Sequence, residues 1–231
     1  KSISWDNKYE QLWVFKYKLN NYEYKHDDTL LNITPNISWY VGFMEGEGSF
    51  SLKFNKDLFK FALISELSQR EESIKLFNYL LIYLKNLKSD EYCSDNIKDY
   101  IHNKVKFNLK TYPKDKKIKI TLSSIDYFYW VYFPNVLTTQ WNSRKNISMT
   151  LFLISTIILK HGLHYTKEGL DLYNKIILFI NFYEPPFLLD DIIKDIDNVL
   201  SHKPIYNVNY TQDHNGRKIG RKIKSKFISS L

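Results

Sequence analysis

Two carboxylates pose the first chemical question. Glu45 and Glu47 flank Gly46 in residues 39–50, WYVGFMEGEGSF, which also hold Gly42 and Gly48 of the chain's 7 glycines. Carboxylate oxygens are the ligands that magnesium and calcium prefer. Pro35, Asn36 and Ser38 ahead of the stretch are helix-start residues, and SFSLKF at its end alternates apolar and polar as a strand does. The stretch therefore predicts a short helix that ends on glycine and turns directly into a strand. The C-terminus of such a helix carries roughly half a negative charge, so two acids there are unfavourable unless a cation offsets them. Gly42 and Gly46, four apart, share one face and leave it bare, which invites close approach of a second helix. On these grounds alone, a glycine-capped surface helix with two solvated acids is the better account in an arbitrary protein.

A second set of chemistry-bearing residues is basic and must be positioned by strands. Residues 49–55 put Phe50, Leu52 and Phe54 on one side and Ser49, Ser51, Lys53 and Asn55 on the other, and residues 59–66 are expected to close a hairpin with them. Residues 104–112 alternate Val105, Phe107 and Leu109 with Lys104, Lys106, Asn108 and Lys110. Residues 116–123 alternate Ile118, Ile120 and Leu122 with Lys117, Lys119 and Thr121, and Pro113, Lys114 and Asp115 supply the turn between the two runs. A two-stranded ribbon fits the major groove of duplex DNA, and lysines on it neutralise phosphates. An ordinary half-buried sheet with a lysine-rich solvent face explains the same pattern equally well.

Between and after the hairpins the sequence predicts helices. Ser68 to Glu71 forms a capping box opening a helix to about residue 84, with Ile74, Phe77, Leu80, Leu81 and Leu84 as its core face. Residues 85–103 read as a polar loop. An aromatic-rich helix from Ser124 is interrupted by Pro134, and further helices run from about 146 to 160 and from after Thr166 to about 182. Residues 187–200 form an acidic amphipathic helix, and the tail beyond carries Arg217, Arg221 and Lys222 in a glycine-spaced basic arm.

Tyr40 to Gly48, YVGFMEGEG, resembles the LAGLIDADG motif of homing endonucleases and group I intron maturases, with the Ser49-Phe50 that commonly follows it. The departures are Tyr40, Val41 and glutamates in place of aspartates. His164 to Leu170, HYTKEGL, resembles the closing phrase HLTKEGL of the same family and stands in the expected order. The resemblance covers about residues 36–183. It implies an α+β LAGLIDADG domain, αββαββα, with a saddle-shaped antiparallel sheet for nucleic acid and a glycine-faced motif helix at a pairing interface through Gly42 and Gly46. It makes Glu47 the catalytic acid and ligand of Mg2+ or another divalent cation, whereas Glu45 matches an acidic position that is not usually a direct ligand. Residues 137–145 resemble a loop that ends in a Gln-Lys-type element in relatives. Arg144 and Lys145 are thereby candidates for the basic group near the scissile phosphate, although a solvated loop fits as well. Lys53, Asn55, Lys104, Lys106, Lys117 and Lys119, with Arg217, Arg221 and Lys222 of the arm, are the nucleic-acid-binding candidates.

The expected organisation is an N-terminal extension over 1–35, in which residues 11–19 fit strand or helix equally, the LAGLIDADG domain over 36–184, and a C-terminal helix and basic arm over 185–231. The 231 residues suffice for one domain with a sizeable core, and a net charge of +8 with a pI near 9.2 points to a polyanionic partner. A basic genome-wide bias is the alternative: Ala62 is the only alanine, and 33 basic residues include Arg70, Arg144, Arg217 and Arg221 as the only arginines. Asn, Ile, Lys, Tyr and Phe have AT-rich codons, so the composition is that of an AT-rich genome, and a mitochondrial one agrees with the family. Cys93 is alone, which excludes a disulfide framework and zinc spacing. His161 and His164 read as a satisfied surface pair. No signal peptide is evident, the longest apolar run is too short for a bilayer span, and Lys1 opens the sequence as in a processed chain or fragment.

Only one motif is found, so strand cutting requires a homodimer or a second LAGLIDADG domain. Two readings of function follow. One is a metal-dependent, site-specific DNA endonuclease of the mitochondrial matrix acting on double-stranded DNA. The other is a non-cleaving protein that binds structured RNA, as an intron maturase or a component of a large ribonucleoprotein such as a mitochondrial ribosome. Neither involves a membrane.

Overall fold

In the computed structural model, residues 35–181 and 189–205 are described. They belong to the second of two units, which begins at Pro35. The extension over 1–34, the Glu184-Pro185-Pro186 boundary and the basic arm with Arg217, Arg221 and Lys222 lie outside the described residues.

Helix α1, Ile37–Glu47, opens the unit, and Asn36 caps it by accepting the Trp39 N–H at 2.8 Å. Strands β1, Gly48–Asn55, and β2, Lys60–Arg70, form the first hairpin. Helices α2, Ile74–Lys85, and α3, Asp95–Lys104, lead to the second hairpin of β3, Asn108–Tyr112, and β4, Lys117–Leu122. A helical stretch α4 follows, in which Ile125–Tyr127, a π turn over Phe128–Tyr132 and Phe133–Val136 are continuous. Helices α5, Lys145–Lys160, α6, Lys167–Asn181, and α7, Leu189–Leu200, complete it. The strands make one antiparallel 4-stranded sheet in the order β1-β2-β4-β3, so the two hairpins meet through β2 and β4. The expected αββαββα order is present, with α3 inserted before the second hairpin and α5, α6 and α7 following α4.

The sheet's inner face and the helices share one aromatic core. Leu52, Leu63, Leu67, Ile118, Ile120 and Leu122 are buried on the strands. Phe50 packs on Phe152 of α5 at 4.9 Å, and Phe61 meets Tyr173 of α6 edge-on at 5.0 Å. From α1, Tyr40 meets Tyr132 at 6.1 Å and Phe43 meets Phe77 of α2 at 6.3 Å. Burying each such side chain contributes roughly 1.5–3 kcal/mol. Ile192 and Val199 bring α7 into the same core, and Lys175 of α6 pairs with Asp195 at 2.5 Å. Deep in the unit, Lys160 donates to Asp126, both buried. Losing either partner would leave an uncompensated buried charge.

Several expectations are corrected. Lys104 ends helix α3 and Lys106 precedes β3, so neither sits on a strand; residues 95–104 are helical because Ile97 and Ile101, one turn apart, pack on the core. Ser68 is not a helix cap: it pairs with Lys119 in the sheet, β2 runs on to Arg70, and α2 starts only at Ile74. Ile74 is therefore exposed, while Phe77, Leu80 and Leu84 form the buried stripe. Pro134 does not break α4. The carbonyl of Trp130, which a residue-134 amide would bond in a regular helix, accepts from Asp90 N–H at 2.7 Å, and Asn135 Nδ2 covers the Val131 carbonyl. His164 is buried, not at the surface, edge-on to Phe61 at 4.8 Å, and burial pushes its pKa down to about 3.

Candidate active site and nucleic-acid interface

The motif helix is built to end abruptly. Gly48 has an extended backbone, yet a Cβ there would lie 2.7 Å from the Met44 carbonyl and 2.6 Å from the Met44 side chain, so only glycine lets the strand leave so close to the helix. Gly42 and Gly46 differ. Both are exposed, and a Cβ at either meets nothing within 4 Å. With Ser38 they form a stripe of small, exposed residues along the helix, flanked by Trp39 stacked on Phe43 at 5.2 Å. The unit's own packing therefore does not account for these two glycines.

The two acids part company at the helix end. One oxygen of Glu45, Oε1, accepts from the backbone N–H groups of Asn142 and Ser143, each at 2.6 Å. The carboxylate thus holds the loop before α5, and Trp141 of that loop anchors from the other side by sinking into the core and donating to the Val136 carbonyl at 3.2 Å. Lys145, at the start of α5, then reaches back to donate to the Met44 carbonyl at 3.1 Å. Its ammonium offsets the negative end of α1. Burial lowers the Lys145 pKa, and the charges of Glu47 and Glu45 pull it part of the way back. Glu47 stays exposed beside it. Arg144 is exposed at the N-terminus of α5 and points to no partner among the described contacts. So Glu47 and Lys145, nearly a hundred residues apart in sequence, share one corner. Among the described residues no group of three or more His, Cys, Asp or Glu side chains could hold a metal ion.

The same corner opens onto the sheet. Glu47 lines a hollow with Gln69, Arg70, Lys116 and Lys117, with the acids Glu72 and Asp115 also on its wall. Beyond it lies the outer face. Strand alternation and register put Lys53 and Asn55 on β1, Lys60 and Arg70 on β2, Lys117 and Lys119 on β4 and Lys110 on β3 on this side. Lys53, Asn55 and Lys117 fall where the sequence put them. Lys119 is not a free cation: it pairs with Glu66 at 3.1 Å and lies 5.9 Å over the Tyr112 ring. Lys60 and Arg70 were not expected on this face, and Lys110, expected on it, was not among the named binding candidates. The signal for Arg70 was the continued alternation Ile64, Glu66, Ser68, Arg70, which the capping-box reading cut short.

The closing phrase at 164–170 has a physical reason as well. Thr166 Oγ1 accepts from the Gly169 N–H at 3.0 Å and donates to the Leu163 carbonyl at 2.8 Å, starting α6. A Cβ at Gly169 would meet the Leu163 carbonyl oxygen at 2.1 Å, so the turn admits glycine alone.

Comparison with known proteins gives the following. No protein-family model matches the chain. The uncharacterized mitochondrial protein RF1 of Saccharomyces cerevisiae is 30% identical over 211 residues, covering 89% of this chain and 43% of that protein. Among solved structures, the LAGLIDADG homing endonuclease I-GzeII in complex with its DNA target superposes with a TM-score of 0.51 at 19% identity, over 65% of this chain and 45% of that one. The meganuclease I-SmaMI bound to uncleavable DNA gives 0.50 at 18% identity, over 63% and 45%. The chain thus spans under half the length of these relatives. No helix among the described residues is long and apolar enough to cross a membrane.

Proposed function

Because the chain carries the LAGLIDADG fold, we propose that it is one catalytic half of a metal-dependent, site-specific DNA endonuclease. The observation that carries this reading is the corner where Glu47 and Lys145 meet at the end of a glycine-faced helix, opening onto a basic sheet face. That the chain spans under half the length of these relatives supports the need for a partner half, supplied by a second copy or a second domain pairing on Gly42 and Gly46.

The donors fit a hard divalent cation as a half-site. Of the motif's two carboxylates, Glu45 is committed to backbone amides and Glu47 is not, and Mg2+ commonly takes one or two carboxylates with substrate phosphates and water. Glu47 would hold the cation with its counterpart from the other half. When bound, the cation would lower the pKa of a water and neutralise the leaving oxygen. Lys145 would hold a positive charge against the pentacoordinate phosphate, its ammonium kept in place by the Met44 carbonyl. Lys53, Lys60, Arg70 and Lys117 would bind phosphates of the duplex and orient it over the corner. The relative's mitochondrial name and the AT-rich residue usage support a mitochondrial site of action.

The test is cleavage of candidate intron-insertion duplexes by the full chain, with magnesium varied, alongside competition by structured RNA. Magnesium-dependent cutting that Glu47→Gln removes while duplex binding persists is the expected result. Tight RNA binding with no cutting, unaffected by duplex DNA, overturns it in favour of the maturase or ribonucleoprotein role.

A further inference from the structure

A second hollow lies where helix α3 is inserted. Its volume is about 770 Å³, within the range of ligand pockets. The end of α2 at Lys85, the loop after it, Ile101 and His102 of α3, Phe107 ahead of β3 and Tyr127 of α4 enclose it. Among the described residues it shares no lining side chain with the hollow at Glu47. Its walls are tied together. Tyr127 Oη donates to the Leu84 carbonyl at 2.6 Å, Asn135 Nδ2 to the Lys88 carbonyl at 2.8 Å, and the Asp90 N–H to the Trp130 carbonyl at 2.7 Å. The loop over 86–91 is thus fastened to α4 at Lys88 and Asp90, and the end of α2 at Leu84, so the fold itself sets the space.

Three kinds of wall meet there. One is apolar: Phe107, edge-on to Tyr127 at 5.0 Å, together with Ile101, Val105 and Val131. The second is acidic, Asp90 and Glu91, and Asp90 is steadied by accepting the Tyr92 N–H on Oδ1 at 2.8 Å. The third is basic, Lys85, Lys88 and Lys98. Lys98 is paired with Asp95 at 3.2 Å, while Lys85 Nζ stands over the Phe107 ring, 6.0 Å from its centre. These walls exclude simple ligands. A purely apolar molecule would strip water from both acids and three ammonium groups. A bare anion would face two carboxylates, and a bare cation three ammonium groups. A ligand that suits all three walls is flat and apolar on its face, amino-bearing at its edge and negatively charged at one end.

We propose that this hollow binds one nucleotide: its base stacks on Phe107 under the Lys85 ammonium, its exocyclic amino group donates to Asp90 or Glu91, and its phosphate pairs with Lys88. A base laid on that ring gains the stacking and the cation–π contact together. Adenine, cytosine and guanine carry an exocyclic amino group, and uracil carries none. A base within a duplex is stacked on both faces, so the ligand is a free nucleotide or an unpaired residue of a strand, which present the same chemistry. The site is independent of the duplex face and of cleavage, since it draws on neither the corner nor the sheet's outer residues.

The experiment is calorimetric titration of the full chain with AMP, CMP, UMP and adenosine, and with a short single-stranded oligoribonucleotide, for the wild type, Phe107→Leu and Lys88→Met. CMP should bind about tenfold tighter than UMP, which lacks the amino group. AMP should bind more tightly than adenosine, and Lys88→Met should remove that difference by weakening AMP alone. Phe107→Leu should weaken AMP and adenosine alike, about tenfold, with duplex affinity unchanged. The Lys88 side chain is exposed and only its carbonyl is bonded, so Lys88→Met keeps the site testable even where Phe107→Leu lowers the melting temperature. Binding of the mononucleotides assigns a free nucleotide; binding of the oligoribonucleotide alone, with the same loss on Phe107→Leu, assigns an unpaired residue of a strand. Failure of every probe to saturate the wild type up to about 1 mM overturns the site, as does binding that both substitutions leave unchanged.

Discussion

The corner at the end of α1 and the outer face of the sheet are assembled on different terms. The corner depends on side chains reaching backbone far away in sequence: Glu45 to the amides of Asn142 and Ser143, Lys145 to the Met44 carbonyl. The sheet face depends on alternation, and its outward residues follow from register with few side-chain bonds beyond those of Glu66. The comparison teaches that the corner is set by bonds between segments distant in sequence, whereas the face is set by strand register alone. Changes at the corner should therefore act all-or-none, and changes on the face should grade.

The largest expected effect is at Glu47. Under the proposed function, Glu47→Gln should cut the cleavage rate by about 10³-fold by removing the metal-binding charge, with duplex affinity and melting temperature retained; a rate within about tenfold of the wild type would move the catalytic assignment elsewhere. Lys145→Met should lower the rate about 10²-fold at unchanged duplex affinity, read in single-turnover assays, because it removes one preorganised charge worth several kcal/mol at most. A sharper contrast lies within one helix. Gly48→Ala should destabilise the unit by about 1–3 kcal/mol, as its Cβ meets the Met44 carbonyl. Gly46→Leu should leave the isolated unit's melting temperature unchanged and abolish pairing, measured by native mass. Equal destabilisation by both would remove the pairing argument. On the face, Lys53→Ala and Lys117→Ala should each weaken binding only a few-fold and reduce the salt slope by about 0.9.

Acid should test the packing behind both regions. The buried His164 is neutral in the folded state, with its pKa pushed down to about 3 against an ordinary value of 6.5. The unfolded chain gains the proton first, so this contribution is complete above pH 6.5 and is lost as pH falls from there toward 3. The slope is about 1.4 kcal/mol per pH unit, some 2 kcal/mol by pH 5. His164→Phe should flatten that part of the stability profile measured by denaturant midpoints.

The sequence made the motif helix, its glycine end and both hairpins legible because each is a local pattern: a cap, a bare face, an alternation. Gly42 and Gly46 fell on such a pattern, whereas the role expected of Glu47 and the phrase at 164–170 came from the family resemblance. What stayed hidden was whatever depends on a partner distant in the chain. Helix α3 is mostly polar, with one short stripe of Ile97 and Ile101, so its burial is visible only once the core exists. Ser68 carries a cap's chemistry, but the ladder to Lys119 takes precedence over the local bond. Lys145 was a loose candidate beside Arg144 until the fold brought it alone to the end of α1.

The bond from Glu45 to Asn142 and Ser143 also orders events during synthesis. Its two halves are separated by 97 and 98 residues, so most of the sheet is made before the corner can close. A ribosome-bound chain ending before Asn142 would already carry the motif, both hairpins and the outer face, yet lack the loop that braces Glu45 and the lysine beside Glu47. Under the proposed function, such a nascent chain lacks a complete corner, so its chemistry matures last.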